Sequence, residues 1–182
     1  MISRITRLRI IWWSVITLYT AAIFASLSVA PQLWERIDTA LKGQGMLLQT
    51  VLYCLAGAGI FAYLVYVKNE NKLVRYFWFF GCVLAAWFLL KQTPLASERV
   101  HFAEYGLLGV LLYNALKLEV DGLDPWLYVC GALICVAIGS LDEIVQSFLP
   151  NRYFDWRDLF LNGASGAIAL CLIRFCVIRQ EE

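Results

Sequence analysis

The run WLYVCGALICVAIGSLDEIVQSFL, residues 126–149, decides the fold. As a helix its 24 residues would extend about 36 Å, enough to cross the ~30 Å hydrocarbon core of a bilayer. From Trp126 to Leu141 it carries no Asp, Glu, Lys or Arg, and then it sets Asp142 and Glu143 side by side near its end. An ionised group at bilayer mid-depth costs about 2.5–3.5 kcal/mol on insertion scales, so charges inside such a run mark the place to look for function.

Working outward, five further apolar runs emerge at about residues 10–30, 46–67, 76–90, 95–116 and 159–178. A chain that is 61% hydrophobic, with a mean hydropathy of +0.67, fits a membrane protein and leaves little for a soluble domain. The connectors are short and no low-complexity tract or clear internal repeat interrupts them. The expectation is a single transmembrane domain over residues 1–182, an all-α polytopic bundle of about six helices. Run 76–90 is the shortest, and five spans is the alternative if its aromatic start, Tyr76 to Phe80, belongs to the membrane interface. The first run resembles a signal peptide, with Arg4, Arg7 and Arg9 before it and Ser28-Val29-Ala30 at its end. Its length and Pro31 just after the candidate cleavage site favour an uncleaved first helix.

Charge asymmetry sets the expected orientation. Arg4, Arg7, Arg9, Lys68, Lys72, Arg75, Lys117, Arg174 and Arg179 fall on one side, and Arg36, Lys42, Lys91, Arg99, Arg152 and Arg157 on the other, nine against six. The excess puts both termini in the cytoplasm. The starts of runs four and six and the end of run five then lie at the extracytoplasmic face. A net charge of +1 without a basic stripe offers nothing to nucleic acid. Cys54, Cys82, Cys130, Cys135, Cys171 and Cys176 all fall inside the runs and read as small apolar packing residues.

The polar residues of runs four to six share a depth and a face. With helix starts and stops placed at Pro94 and Pro150, His101 lies about 10 Å and Asp142 about 12 Å below the same end. His101 and Tyr105, Asp142 and Gln146, and Asp158 and Asn162 are i, i+4 pairs, with Glu104 and Glu143 flanking them. Gly163, Ala164, Ser165, Gly166 and Ala167 would let helix six approach its neighbours closely. His101, Asp142 and Glu143 include a possible base and acid, enough for hydrolysis or transfer in principle. No hydroxyl sits in a nucleophile's context, however. His101, Glu104, Asp142 and Asp158 are conceivable metal ligands, but one histidine in the whole chain is a poor start for zinc, and no metal or cofactor is expected. A purely structural polar core is the simplest account of each residue singly; it is less persuasive for all of them together.

His101-Phe-x-Glu104-Tyr105-Gly-x-x-Gly109, Asp142-Glu143-x-x-Gln146-x-Phe-x-Pro150-x-Arg152 and Asp155-x-x-Asp158-x-x-x-Asn162-Gly-x-x-Gly166 together resemble the VanZ-like family of bacterial membrane proteins. The resemblance covers about residues 94–178. Where the family often carries an Asp-Lys pair before its histidine, this chain has Ser97 and Glu98, with Arg99 nearby. The resemblance implies a role in the cell envelope, since the family's namesake is associated with low-level resistance to teicoplanin by an unestablished mechanism. The favoured expectation is a non-catalytic module binding a membrane lipid, a lipid-linked envelope molecule, a glycolipid or a partner membrane protein's helix. Its ligand-binding residues would be His101, Glu104, Tyr105, Asp142, Glu143, Gln146, Arg152, Asp155, Asp158 and Asn162, with Arg152 as the anion contact. The alternative is a membrane hydrolase or transferase for lipid-linked substrates, using Asp142 or Glu143 as base and His101 as proton partner. Transport is less favoured because no broken helices or repeated halves are visible.

Overall fold

A computed structural model describes residues 3–120, 124–150 and 152–178, and every regular element among them is helical. The helices are α1 (Arg4–Ser26), α2 (Ala30–Ala40), α3 (Gly45–Ala62), α4 (Leu73–Lys91), α5 (Ala96–Leu116), α6 (Pro125–Gln146) and α7 (Trp156–Leu172). Single π-helical turns, Tyr63–Val67 and Ile173–Val177, extend α3 and α7. Five helices, α1, α3, α4, α6 and α7, are long and apolar enough to cross a membrane. Run 76–90 belongs to α4, whose 19 residues remove the doubt about its length. α5 is as long, at 21 residues, and lies among them, but carries Glu98, Arg99, His101 and Glu104 in its first half. The result is a bundle of about six long helices.

Burial is inverted relative to a water-soluble protein. Leu18, Tyr66, Phe77, Trp126, Phe148 and Trp156 are 70–83% exposed, while Asp142, Glu143, Gln146 and Asn162 are 0–2% exposed. That arrangement suits a hydrocarbon solvent, which favours apolar surface and drives polar groups into the interior. All six cysteines are free. α7 forms the spine of the bundle, packed most extensively on α5 and α6 and also on α4, while α1 lies against α5 and α6. Small residues permit this. A Cβ on Gly109 of α5 would meet Gly166 O of α7 at 2.8 Å, so the two backbones touch where they cross.

Three features depart from the sequence expectations. The first run stops at Ser26, and Pro31 opens α2, a short amphipathic helix with no buried residue that packs beside α3 and α5. α6 stops at Gln146, and the chain winds out through bonds from Phe148 N–H to Val145 O and from Leu149 N–H to Gln146 O. Asp142 is therefore about 6 Å from the end of its helix, and His101, with α5 starting at Ala96, about 7.5 Å from its own. Both are shallower than Pro94 and Pro150 implied.

The third departure is Arg75, which the charge count sets among the polar flanks. It is buried at the opposite end of the bundle and pairs with Glu70 at 3.0 Å. It also donates to Cys176 O at 3.1 Å, so it neutralises a buried carboxylate and binds the end of α7 together. Losing one partner of such a pair costs about 3–5 kcal/mol. Arg179, counted on the same side, lies outside the described residues.

Candidate functional site

The site lies at the end of the bundle where α4 meets α5 and α6 meets α7. Local bonds hold that end in place. Arg99 donates to Leu90 O (2.9 Å) and Thr93 O (3.1 Å), capping the C-terminus of α4 with positive charge. It is thus engaged with α4 rather than paired with His101. Gln49 of α3 donates to Ala96 O (2.7 Å) and the Tyr53 hydroxyl to Arg99 O (2.6 Å), which ties α3 to the start of α5. Between α6 and α7, buried Glu143 accepts the Asp155 N–H at 3.0 Å. Gln146 donates to the other oxygen of Glu143 at 3.4 Å.

Deeper in, α5 and α6 meet through side chains. The Tyr105 hydroxyl donates to Asp142 Oδ2 at 3.1 Å. His101 Nδ1 lies 3.6 Å from that same oxygen and 3.4 Å from Glu104 Oε2. Both distances fall within ion-pair range without hydrogen-bond geometry, which leaves Nδ1 without a hydrogen-bond partner among the described residues. Asp142 Oδ1 has none either, nor do Oδ1 and Nδ2 of Asn162. Asn162 reaches from α7 to the face of α6 at Gly139, one turn from Asp142, where a Cβ on Gly139 would lie 2.9 Å from Asn162 Cβ. Buried polar atoms are nearly always paired. Here three helices bring unpaired ones to a common region.

The rim is charged. Asp155 caps α7 by accepting the Arg157 N–H at 2.8 Å, and its Oδ2 accepts from Arg157 Nη2 at 3.0 Å. Burial pushes the Asp155 carboxyl up, but the Arg157 hydrogen bonds and charge outweigh it and leave the group below its ordinary value. Arg157 Nη2 is also 3.6 Å from Glu98 Oε1. Asp158, 6% exposed, makes no hydrogen bond or ion pair among the described residues, while Arg152 is half-buried and close enough for its charge to act on it. A cavity of about 300 Å³ opens here, with Thr93, Glu98, Arg157 and Asp158 on its wall.

The family motifs therefore coincide with the site's geometry. A family model described as VanZ/LLP1 matches residues 11–178, which reaches well beyond the motif-bearing half. This chain belongs to the VanZ-like family. No curated protein and no solved structure matches it significantly.

In this VanZ-like bundle, His101 and Tyr105 meet at Asp142, with Glu104 joined to them through His101, and Glu143, Gln146 and Asp155 form a second group. Asn162 approaches the first group, while Asp158 and Arg152 stand at the rim. Glu98 and Arg157 were not among the residues singled out from sequence. Their signal was a charge at the mouth of an apolar run, which an ordinary interfacial residue also produces. Among the described residues no three His, Cys, Asp or Glu side chains are grouped as metal ligands. The nearby hydroxyls are engaged: Ser165 donates to Leu161 O (2.6 Å), Ser147 to Ile144 O (2.7 Å) and Tyr105 to Asp142.

Proposed function

We propose that the protein is a binding module of the bacterial inner membrane whose polar end, at the extracytoplasmic face, receives the headgroup of a lipid or lipid-linked envelope molecule. The observation that carries this reading is the set of unpaired buried atoms contributed by three helices: His101 Nδ1, Asp142 Oδ1 and both amide atoms of Asn162. Leaving a buried polar group unsatisfied costs about 1–3 kcal/mol, and small residues alone would pack the same crossing without that penalty. A ligand rich in hydroxyl, amide or phosphate groups supplies the missing partners. Arg152, half-buried at the rim, is the anion contact. The nine-to-six excess of positive charge supports the assignment of faces. An outer-leaflet site of this kind also gives the family's association with teicoplanin a physical route, because glycopeptides act on lipid-linked precursors on that side.

Catalysis is the second reading, favoured by the proximity of His101 to both Asp142 and Glu104. Since the nearby hydroxyls donate elsewhere, it would proceed through an activated water. Purification in mild detergent, followed by mass spectrometry of co-purified molecules before and after incubation, separates the two. Binding predicts one molecule per chain, chemically unchanged on incubation and lost in Asn162→Leu. A cleavage product formed by the parent protein and absent in Asp142→Asn would establish catalysis instead. Retention of the same molecule by Asn162→Leu would refute the site.

A further inference from the structure

The cavity at the charged rim adjoins an apolar groove. The groove has a volume of about 530 Å³ and runs between α4 and α7, sharing Leu89 and Phe160 with the cavity above it. Gly81, Cys82 and Ala85 of α4 and Ala164, Ala167 and Cys171 of α7 line it, and their small side chains leave the space between the two helices unfilled. It extends from Phe77 to Leu89 on α4 and from Phe160 to Cys171 on α7, about 16–18 Å along the helices. That length matches half of a ~30 Å hydrocarbon core, the reach of one acyl chain in one leaflet.

At the head of the groove Glu98, Asp155 and Asp158 gather around Arg157, while the charges of His101 and Arg152 reach Asp158 without bonding to it among the described residues. Arg157 is held by Asp155 at 3.0 Å and lies 3.6 Å from Glu98, with its own side chain 61% exposed at the rim. Asp158 faces the same cavity, more than nine-tenths buried, with no hydrogen bond or ion pair among the described residues. As the third residue after the Asp155 cap it gains from the dipole of α7, but the dipole does not supply the donors that a buried carboxylate needs. A primary ammonium has three N–H donors, whereas a quaternary ammonium has none.

We propose that this groove holds one acyl chain of a phospholipid with a primary-ammonium headgroup, the ammonium meeting Asp158 and Glu98 and the phosphate lying toward the Arg157 guanidinium. The inference rests on the headgroup reading above and adds to it the chain's path and the headgroup's charge. It predicts lateral entry of the lipid from the bilayer between α4 and α7.

The test uses the full chain, delipidated in detergent and titrated with dioleoylphosphatidylethanolamine or dioleoylphosphatidylcholine, with bound lipid read by native mass spectrometry. The ethanolamine lipid should bind at least about tenfold tighter than the choline lipid, as a charge-assisted hydrogen bond requires. Asp158→Asn should abolish that preference. Gly81→Leu should weaken both lipids at least about tenfold by filling the groove, since nothing lies within 4 Å of a Cβ at Gly81 and the side chain grows into open space. Ala164→Leu plugs the groove independently from α7, and Gly57→Leu, equally open but on α3, is the control. Melting curves accompany each variant. Equal affinity for the two lipids overturns the ammonium assignment. Unchanged binding by both folded plug variants overturns the groove, and leaves the headgroup reading standing if Asp158→Asn still removes discrimination. No binding of either lipid overturns the inference; if an unrelated polar molecule co-purifies and is lost in Asn162→Leu, the headgroup reading survives it.

Discussion

Replacing Tyr105 with Phe tests whether the α5–α6 contact is an energetic link rather than a coincidence of packing. Tyr105 is fully buried, and its hydroxyl donates to Asp142 Oδ2 at 3.1 Å, while Oδ1 of the same carboxylate has no hydrogen-bond partner among the described residues. Phe keeps the ring and its contact with His101, 6.3 Å between centroids, so the packing is retained. What is lost is a hydrogen bond to a buried charged group, worth about 1.5–3 kcal/mol, or roughly a 10- to 150-fold change in the unfolding equilibrium. Asp142→Asn leaves an acceptor for Tyr105 without the charge, and in that background the same replacement should cost only about 0.5–1.5 kcal/mol. The coupling should therefore fall within the roughly 0.5–3 kcal/mol typical of contacting residues. Equilibrium unfolding in mixed micelles, followed by tryptophan fluorescence, measures all four proteins. Additive effects of the two substitutions, or a Tyr105→Phe cost below about 0.5 kcal/mol, would refute the link.

Three further outcomes are expected. Gly109→Ala should lose about 1–3 kcal/mol, because its Cβ would lie 2.8 Å from Gly166 O, whereas Gly106→Ala, with nothing within 4 Å, should be neutral or slightly stabilising; equal melting of the two would argue against the α5–α7 crossing. The Asp155 carboxyl, lowered in the folded protein chiefly by Arg157 against the opposing push of burial, contributes stability above its unfolded pKa of about 3.9 and loses it as pH falls through the folded value. Acid melting profiles should show that loss in the parent and a shallower one in Asp155→Asn. Finally, Tyr153→Cys, at a position 79% exposed, should react with impermeant maleimide in spheroplasts of a cysteine-free background, and labelling only after the membrane is opened would reverse the orientation.

The apolar runs made the fold legible because insertion into hydrocarbon demands length and continuity, both of which survive as plain sequence. The inward stripe was legible for the same reason: Asp142 and Glu143 stand out against Trp126–Leu141 because nothing else there is charged. What sequence could not convey was which exposed-looking charges turn inward. Arg75 and Arg99 have the composition of flank residues, yet one is buried against Glu70 and the other caps α4. Their fate depends on carbonyls outside their own helices, Cys176 O for Arg75 and Leu90 O for Arg99. Pro150 marks only where helix is forbidden, while the chain leaves α6 earlier, at Gln146, so a depth counted from the proline is too great. Glu98 acquires meaning only once α7 brings Arg157 beside it.

The central position of α7 has a consequence for how the protein is made. Chains emerge from the ribosome N-terminal end first, so α4, α5 and α6 enter the membrane before their common neighbour exists. During that interval the ring of Tyr105, the carboxylates of Asp142 and Glu143, and Arg75 lack the helix that later covers them. Only when α7 arrives do Asn162, the Gly166 crossing and the Cys176 carbonyl fall into place together. Biogenesis thus has a vulnerable stage in which half-finished molecules expose ionisable groups to lipid, inviting retention by the insertion machinery or capture by membrane proteases. Substitutions in α7 should accordingly lower the amount of protein in the cell out of proportion to their effect on the finished bundle.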